Sequence, residues 1–448
     1  MNENTNLSAR VVEDTNPTKG KWMALLAAFL GWMFDGMEMG LFPLAGRPAL
    51  RELIPPEMLG AEPDKIVGIW FGRIIAVFLV GAAAGGLLFG WLGDRFGRVR
   101  AMMWSVLTYS IFSGLCALAN SPVQLGVLRF IASLGMGGEW ALGVALVMEI
   151  WPANARPLLA GLIGAAANVG FLTAGFMGLG LTTFVTGIGN ALKPMMPDAW
   201  VDTLLANRGW RMLFVLGAVP ALLTFFIRIF VPESERWKQA TRHAPKTRVA
   251  DIFQRGVARS TILGACLAGL ALLGTWGSLQ WIPTWADRFT RGGAGVREWS
   301  QIWSAIGAIV FTIVVALLAQ KFNRRVAYFG LCVLSLAVCQ YLFRAKPSYD
   351  NLFLFMVFLA GGFTAGFYGW LPLYLPELFP TRVRATGSGF SFNVGRIIAA
   401  AGTLVSGQLV AAFDGDYAKM CSVISLIYLV GMVLIWFCPE TKGRPLPE

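Results

Sequence analysis

Charged residues are rare within the long apolar runs of this chain, and those that occur there are its best candidates for chemistry. Asp35 and Glu38 stand three residues apart in the first run, Arg129 and Glu139 share the fourth, and Arg396 lies in the eleventh. A charge in a hydrocarbon core costs at least about 2.5 kcal/mol by insertion scales. Each of these side chains therefore needs a partner of opposite charge, a proton or a ligand.

The composition is that of a membrane protein. Of the 448 residues, 56% are hydrophobic and 14% are charged, and the mean hydropathy is +0.62; soluble domains carry about 25% charged residues. Apolar runs of about 20 residues or more span a bilayer. The chain is therefore predicted to be an all-α membrane protein with twelve transmembrane helices, at 22–44, 66–92, 99–118, 122–147, 156–185, 210–231, 259–284, 299–320, 326–343, 350–375, 383–412 and 417–438.

The distribution of Lys and Arg predicts the orientation. Twelve crossings place both termini on one side. When basic residues at the end of a run are counted with the nearer side, 22 of the 37 lie on the side of the termini and 12 lie opposite, and three, Arg73, Arg129 and Arg396, lie well inside the runs. Basic loops face the cytoplasm, so we expect a multi-pass protein of the inner (plasma) membrane with both termini cytoplasmic. The formal net charge of +12 has its largest cluster in the connector from Arg228 to Arg259. We interpret it as an orientation signal and predict no nucleic-acid partner.

An internal repeat divides the chain into two halves. Two six-helix bundles of the same design are predicted, at 22–231 and 259–438, with a cytoplasmic connector at 232–258 and cytoplasmic tails at 1–21 and 439–448. The repeat has a constant offset of 225 residues, with Ala160, Gly164 and Asn168-Val169-Gly170 matched by Ala385, Gly389 and Asn393-Val394-Gly395.

The acids and the arginine of the first and fourth runs are candidates for proton coupling. At 1.5 Å per residue, Asp35 and Arg129 lie about 9 and 10 Å from the outer face of a core roughly 30 Å thick. We predict an Asp35–Arg129 ion pair whose carboxylate takes up the proton; the alternatives are a permanent salt bridge between the two helices and no contact at all. Glu38 lies on nearly the same helical face as Asp35. It is expected either to share the proton with Asp35, to approach Arg73, or to be solvated by water at the mouth of the transport pathway. Glu139 is paired with a cation, protonated, or faces the inner vestibule.

Arg396 is the candidate for substrate binding. It lies about 20 Å into its helix, near the midplane, and its repeat-mate is the apolar Phe171. A guanidinium grips a carboxylate with two parallel hydrogen bonds, so Arg396 favours an anionic substrate; a structural role is the alternative. The further candidates for substrate binding are Gln280, Trp276, Trp281, Tyr368, Trp370, Asn168 and Asn393. For the aromatic residues the alternative role is contact with lipid, and for the asparagines it is a hydrogen bond between helices.

The turn Gly90-Trp-Leu-Gly-Asp94-Arg95-Phe-Gly-Arg98 between the second and third runs resembles the loop signature Gly-x-x-x-Asp-Arg-x-Gly-Arg of the major facilitator superfamily. The resemblance implies two rocking bundles with a substrate site between them and a cytoplasmic latch that closes the inner gate. In the second copy, 226 residues later, Gln320 replaces the acid and Asn323 the glycine, which puts a C-terminal latch in doubt. The candidate gating residues are Asp94, Arg95, Arg98, Glu149, Arg156, Glu233, Glu377 and Arg382.

Two further sets of motifs narrow the resemblance. Phe34-Asp35-Gly36, with Arg129 followed by Gly135-x-Gly137, resembles the sugar-porter branch, in which a helix-one aspartate and a helix-four arginine couple proton uptake to transport. The blocks Gly137-Gly138-Glu139-Trp140, Glu149-Ile-Trp-Pro152, the stretch 374–387 and Asn393-Val-Gly-Arg396 resemble proton symporters for organic acids, of the sialate and lactate type.

These residues together predict a monomeric, proton-coupled symporter of a small organic acid, a monocarboxylate or a sialate-like compound, working by alternating access. A sugar or polyol symporter is the alternative, followed by drug efflux and by a sensor that binds without transporting. The sequence has no Gly-x-x-x-x-Gly-Lys-Ser/Thr loop and a single histidine, His243. We therefore expect that the protein is not an enzyme and holds no metal and no cofactor, with the proton as its coupling ion. Its expected partners are an anionic small molecule and the lipid bilayer.

Overall fold

The computed structural model describes residues 18–60, 63–241, 248–290, 295–345 and 348–447, and the regular elements in these ranges are helices. Ten of the described helices are long and apolar enough to span a membrane, and α6 and α11 complete the predicted twelve. The helices are α1 Thr18–Leu53, α2 Pro63–Phe96, α3 Arg98–Leu115, α4 Pro122–Ile150, α5 Arg156–Leu179, α6 Asp198–Leu216 with Ala221–Phe230, α7 Ala258–Gly277 continued by Ile282–Phe289, α8 Val296–Lys321, α9 Arg324–Arg344, α10 Asn351–Glu377, α11 Arg384–Ala412 and α12 Tyr417–Ser425 with Ile427–Leu434.

Two helices differ from their predicted form. The sixth, predicted as one span over 210–231, is interrupted at 217–220, where i→i+3 turns replace the α-helical hydrogen bonds and Pro220 has no N–H to donate. The backbone also leaves the helical region from Ala206 to Gly209, just before the predicted span. The first helix continues beyond its predicted end to Leu53. Hydropathy identifies the segment that lipid covers, whereas a helix that projects beyond the membrane keeps its backbone hydrogen bonds and needs no apolar residues there.

Local sequence fixes several helix ends. Ser121 caps α4 by accepting a hydrogen bond from the backbone nitrogen of Gln124 at 3.1 Å, with Pro122 in the first turn, where a missing N–H costs nothing. Between α2 and α3, Gly97 adopts a φ of +110°, and a Cβ there would lie 2.3 Å from a carboxylate oxygen of Glu233. The signature turn therefore requires glycine at this position.

The helices form two six-helix halves, α1–α6 and α7–α12. Between the halves, α5 packs along α8 and α2 packs along α11. Close approach of α5 to α10 depends on Gly164, where a Cβ would lie 2.2 Å from the carbonyl oxygen of Tyr368. We call the membrane face where α1 begins and α12 ends the terminal face, and the other the opposite face. The two interfaces enclose the space in which the functional candidates meet.

Candidate functional site

A cavity of about 120 Å³ lies between the two halves, and we call it the central cavity. Helices α1, α5, α7, α8, α10 and α11 supply its walls. Five of the predicted substrate residues line it: Asn168 from α5, Trp276 from α7, Tyr368 from α10, Arg396 from α11, and Gln280, which lies in the turn that interrupts α7. Both halves contribute, as a substrate site between rocking bundles requires.

Arg396 is held in a defined orientation at the cavity wall. Its exposed fraction is 6%, and its Nη1 donates a hydrogen bond to the amide oxygen of Asn393 at 3.0 Å. The guanidinium carbon lies 5.4 Å from the ring centre of Phe392 and 5.8 Å from that of Trp32. Aromatic faces attract a cation, so these rings stabilise the guanidinium without using its donors.

Asn393 positions Arg396 and is not part of the cavity wall. Its amide nitrogen donates to the carbonyl oxygens of Gly389, at 2.8 Å, and Gly137, at 3.1 Å. Gly137 belongs to α4, so this amide connects the two halves. Asn168, its repeat-mate, lines the cavity and donates only a longer bond, of 3.3 Å, to the carbonyl of Gly164.

Two predicted binding residues lie outside the cavity wall. Trp370 is fully buried, donates its indole N–H to the carbonyl oxygen of Arg324 at 3.0 Å, and stacks on Tyr374 with ring centres 4.4 Å apart. Trp281 packs beside Tyr417, with ring centres 5.5 Å apart. Neither ring lines the cavity, because the rotation of each helix about its axis decides which side chains face it, and sequence alone does not fix that rotation.

Several residues of the cavity wall were not predicted from the sequence. Trp32, Phe392 and Phe171 supply aromatic surface, and Gln301 donates to the carbonyl oxygen of Phe171 at 3.2 Å, across the α5–α8 interface. A signal was present for Phe171, because it is the repeat-mate of Arg396. Equivalent positions of the two halves therefore both line the cavity, with an aromatic ring in one half and a charged group in the other.

The predicted Asp35–Arg129 pair is wrong. Arg129 donates instead to Glu38, at 2.5 Å, and the same carboxylate oxygen accepts a hydrogen bond from the Ser113 hydroxyl. Arg73, the other proposed partner of Glu38, is exposed and lies over the Trp70 ring. Three residues shift the depth by only about 4.5 Å, so a small tilt of α1 decides which acid meets the arginine.

Asp35 instead lies beside Glu139. Their exposed fractions are 0% and 1%, no donor on any other described residue reaches their four carboxyl oxygens, and the two carboxyl groups lie within hydrogen-bonding reach of each other. Asp35 interacts electrostatically with Glu139, Arg396 and Glu38. Two adjacent carboxyl groups thus lie directly behind the arginine of the central cavity.

A network of ion pairs joins the halves at the terminal face, and we call it the latch: Asp94, Arg98, Glu149 and Arg384. Arg98 donates to Asp94 at 2.5 Å and to Glu149 at 3.0 Å, and Glu149 also accepts from Arg384 of the other half at 3.1 Å. Asp94 accepts from the backbone nitrogen of Thr386 at 2.7 Å, at the positive start of α11. Arg384 had not been predicted as a gating residue.

The other predicted gating residues in and beside the N-terminal half lie around this network. Glu233 accepts from the backbone nitrogen of Arg98 at 3.0 Å, and burial raises the pKa of its carboxyl group despite this bond and the nearby guanidinium. Arg382 lies 3.3 Å from Asp251 of the connector. Arg95 is exposed over the Trp91 and Phe96 rings, so it lies outside the latch.

Arg156 also lies outside the latch: it is buried, yet forms no ion pair with any residue that the structure describes. Its expected acid, Glu149, is already shared by the two latch arginines.

The C-terminal half has a counterpart that its altered signature had put in doubt. Arg324 donates to Glu377 through two nitrogens, at 2.9 and 3.1 Å, and to the carbonyl oxygen of Ala319, as Arg98 does to that of Gly93. Glu440 accepts from the backbone nitrogen of Arg324 at 3.1 Å, as Glu233 does from that of Arg98. Gln320 is exposed, so this counterpart lacks the acid that links the halves.

Comparisons with known proteins agree with this architecture. The family model "Major Facilitator Superfamily" matches residues 24–403. The chain is 30% identical to the cis,cis-muconate transport protein of Acinetobacter baylyi over 94% of this chain and 95% of that one. It is 26% identical to the niacin transporter NiaP of the same species, over 97% and 98%, and 25% identical to the sialic acid transporter NanX of Escherichia coli, over 94% of both chains.

A solved structure shows the same fold. The proton:xylose symporter XylE superposes with a TM-score of 0.74 at 18% identity, covering 95% of this chain and 98% of that one. The resemblance to metabolite transporters drawn from the sequence motifs is thereby confirmed, as are the all-helical membrane fold and the expectation of a transporter rather than an enzyme. This chain belongs to the Major Facilitator Superfamily and is a multi-pass membrane transporter.

Proposed function

We propose that this protein imports a small organic acid together with a proton, by alternating access, with its terminal face in the cytoplasm. The observation that carries the substrate class is Arg396, a guanidinium at the wall of a cavity shared by both halves. A buried arginine beside a small-molecule cavity is satisfied by a carboxylate that it binds with two parallel hydrogen bonds.

The cavity wall favours planar, unsaturated acids. Trp32 and Phe392 flank the guanidinium, and Trp276, Tyr368 and Phe171 add further rings. Conjugated or aromatic carboxylates stack on such rings while their charge reaches the arginine. Relatives named as muconate and niacin transporters support this class, and the sialic acid transporter supports organic acids in general.

Proton coupling rests on the two carboxyl groups behind Arg396. Asp35 interacts electrostatically with both Arg396 and Glu139, so its protonation directly changes the electrostatic field at the proposed substrate site. Helix α1 carries Asp35 and also lines the cavity with Trp32. Uptake of the proton and of the substrate therefore act on the same helix.

A sugar or polyol symporter is the second candidate, because Asn168, Gln280 and Gln301 also line the cavity and amide groups bind hydroxyls. In that case Arg396 is structural, held by Asn393 and the two rings. The fold shared with a xylose symporter suits this alternative.

Ligand-dependent stability separates the two candidates. The purified protein is heated with sialate, lactate, benzoate, nicotinate, cis,cis-muconate, hexoses and polyols, since a ligand at 100 times its Kd stabilises by about 2.7 kcal/mol. The proposal predicts an upward shift of Tm with at least one acid and its loss in Arg396→Ala. Stabilisation by sugars alone would establish the alternative.

A further inference from the structure

Five buried charged groups lie within the membrane-spanning helices α1, α4 and α11, and their charges do not cancel. They are Asp35 and Glu38 on α1, Arg129 and Glu139 on α4, and Arg396 on α11, with exposed fractions of 6% or less. Three acids and two arginines, all ionised, carry a net charge of −1. A buried uncompensated charge is strongly disfavoured, because neither water nor a counter-ion stabilises it.

The ion pair between Arg129 and Glu38 carries no net charge. Arg129 and Glu38 lie 2.5 Å apart, and Ser113 donates a second hydrogen bond to the same glutamate. The guanidinium carbon of Arg129 lies 4.6 and 4.5 Å from the ring centres of Phe42 and Phe78. This pair is neutral, although Glu38 Oε2 and Arg129 Nε have no hydrogen-bond partner among the described residues. The unbalanced charge therefore belongs to Asp35, Glu139 and Arg396.

Close packing of α1 against α4 places the Glu139 carboxyl group beside Asp35. A Cβ on Gly31 would lie 1.6 Å from the Glu139 Oε1 atom, so this carboxyl group occupies the space beside α1 that a larger residue would fill. Gly31 is four residues before Asp35 and lies on the same helical face. The groups that face the two acids are Tyr109 on α3, Glu38 on α1 and Arg396 on α11, and only the last is a cation.

We infer that the Asp35–Glu139 pair holds one proton in the empty transporter and takes up a second when a carboxylate binds Arg396. With one proton the buried cluster is neutral, since two buried carboxyl groups within hydrogen-bonding reach of each other do not both ionise. A bound monovalent anion restores the net charge of −1, and a second proton on the pair cancels it. When the anion leaves, the second proton leaves with it.

This inference rests on the proposed function and fixes its stoichiometry. One proton accompanies each monovalent carboxylate, and no net charge crosses the membrane in a cycle. Glu139 is therefore a positioning and proton-holding partner of Asp35, and Gly31 is the residue that makes room for it.

The empty transporter provides a test that needs no substrate. Infrared spectroscopy of the purified full-length protein at pH 7 is expected to show the C=O stretch of one protonated carboxyl group. Glu139→Gln and Asp35→Asn should each remove or shift this band, because each leaves a single acid opposite Arg396. The control Glu149→Gln should leave it unchanged, since that acid is ionised between Arg98 and Arg384. Absence of the band in the wild type would overturn the inference whatever the substrate is.

Proton uptake on binding provides the second test. Titration calorimetry with the acid that raises Tm, measured in buffers of different ionisation enthalpy, should give one proton taken up per monovalent acid bound. In the double variant Asp35→Asn/Glu139→Gln, which leaves no acid opposite Arg396 to take up the proton, the expected value is near zero. Binding without proton uptake in the wild type would contradict this inference and leave the proposed substrate class standing. If no acid binds, the substrate class fails, and the infrared band still decides the charge state of the pair.

Discussion

The amide oxygen of Asn393 accepts a hydrogen bond from Arg396 at 3.0 Å, while the amide nitrogen of the same residue donates to Gly137 of the other half at 3.1 Å. The orientation of Arg396, the proposed substrate-binding residue, is therefore tied to a contact between the two bundles. In the proposed alternating-access cycle this contact is among those that must change. The proposal thus connects substrate affinity and the state of the gate through one side chain.

Replacing Asn393 with Asp should weaken acid binding. The new carboxylate would form an ion pair with Arg396 and compete with the substrate for it, and a charge-assisted hydrogen bond contributes about 1.5 to 3 kcal/mol. We expect the Kd for the acid to rise by roughly 10- to 100-fold, as measured by titration calorimetry. Unchanged affinity would show that Asn393 does not set the orientation of Arg396.

Asp35→Asn should separate coupling from transport. The amide resembles the protonated acid in shape but cannot release a proton, so accumulation driven by a pH gradient should be lost. Exchange of labelled for unlabelled substrate, which needs no net proton movement, should continue in proteoliposomes. Retention of both activities would remove Asp35 from the coupling mechanism.

Glu38→Gln should be a stability variant. It leaves the buried Arg129 without its counter-charge, and breaking one partner of a buried pair costs about 3 to 5 kcal/mol. We expect a clear fall in Tm, with partial recovery when Arg129→Met removes the orphaned charge, since coupled residues are not additive. A single variant as stable as the wild type would mean that the pair is open to water.

Gly31→Ala should impair transport more than its size suggests. The added methyl group would lie 1.6 Å from the Glu139 carboxyl group, whereas a Cβ at Gly72 of α2 meets no atom within 4 Å. Uptake should therefore fall severalfold in Gly31→Ala and remain near wild type in the control Gly72→Ala. Equal uptake by the two variants would show that Glu139 moves aside at no cost.

Sequence reasoning identified the fold and the charged residues, but not which of them meet. Hydropathy and the repeat are properties of whole helices, so twelve spans and two halves follow from them directly. The exchange of Glu38 for Asp35 as the partner of Arg129 depends on a shift of about 4.5 Å along α1, which hydropathy cannot resolve. Trp281 and Trp370 were misplaced for a related reason, because a rotation of the helix changes which ring faces the cavity.

Contacts between the halves were the least predictable feature. Arg384 pairs with Glu149 at 3.1 Å across 235 positions of sequence, and neither the signature turn nor the repeat indicated it. The C-terminal pair of Arg324 and Glu377 formed despite the altered signature, since Arg324 still reaches the carbonyl oxygen of Ala319. A motif describes the residues of one turn, whereas the latch is assembled from several helices.

Arg396 is proposed to bind the carboxylate of a substrate that enters with a proton. This role is tested by uptake of the stabilising acid into proteoliposomes driven by a pH gradient, compared between wild type, Arg396→Lys and Arg396→Ala. We expect accumulation by the wild type, a reduced rate with Lys, which keeps the charge but loses the planar fork, and none with Ala. Accumulation by Arg396→Ala at the wild-type rate would exclude this role for Arg396.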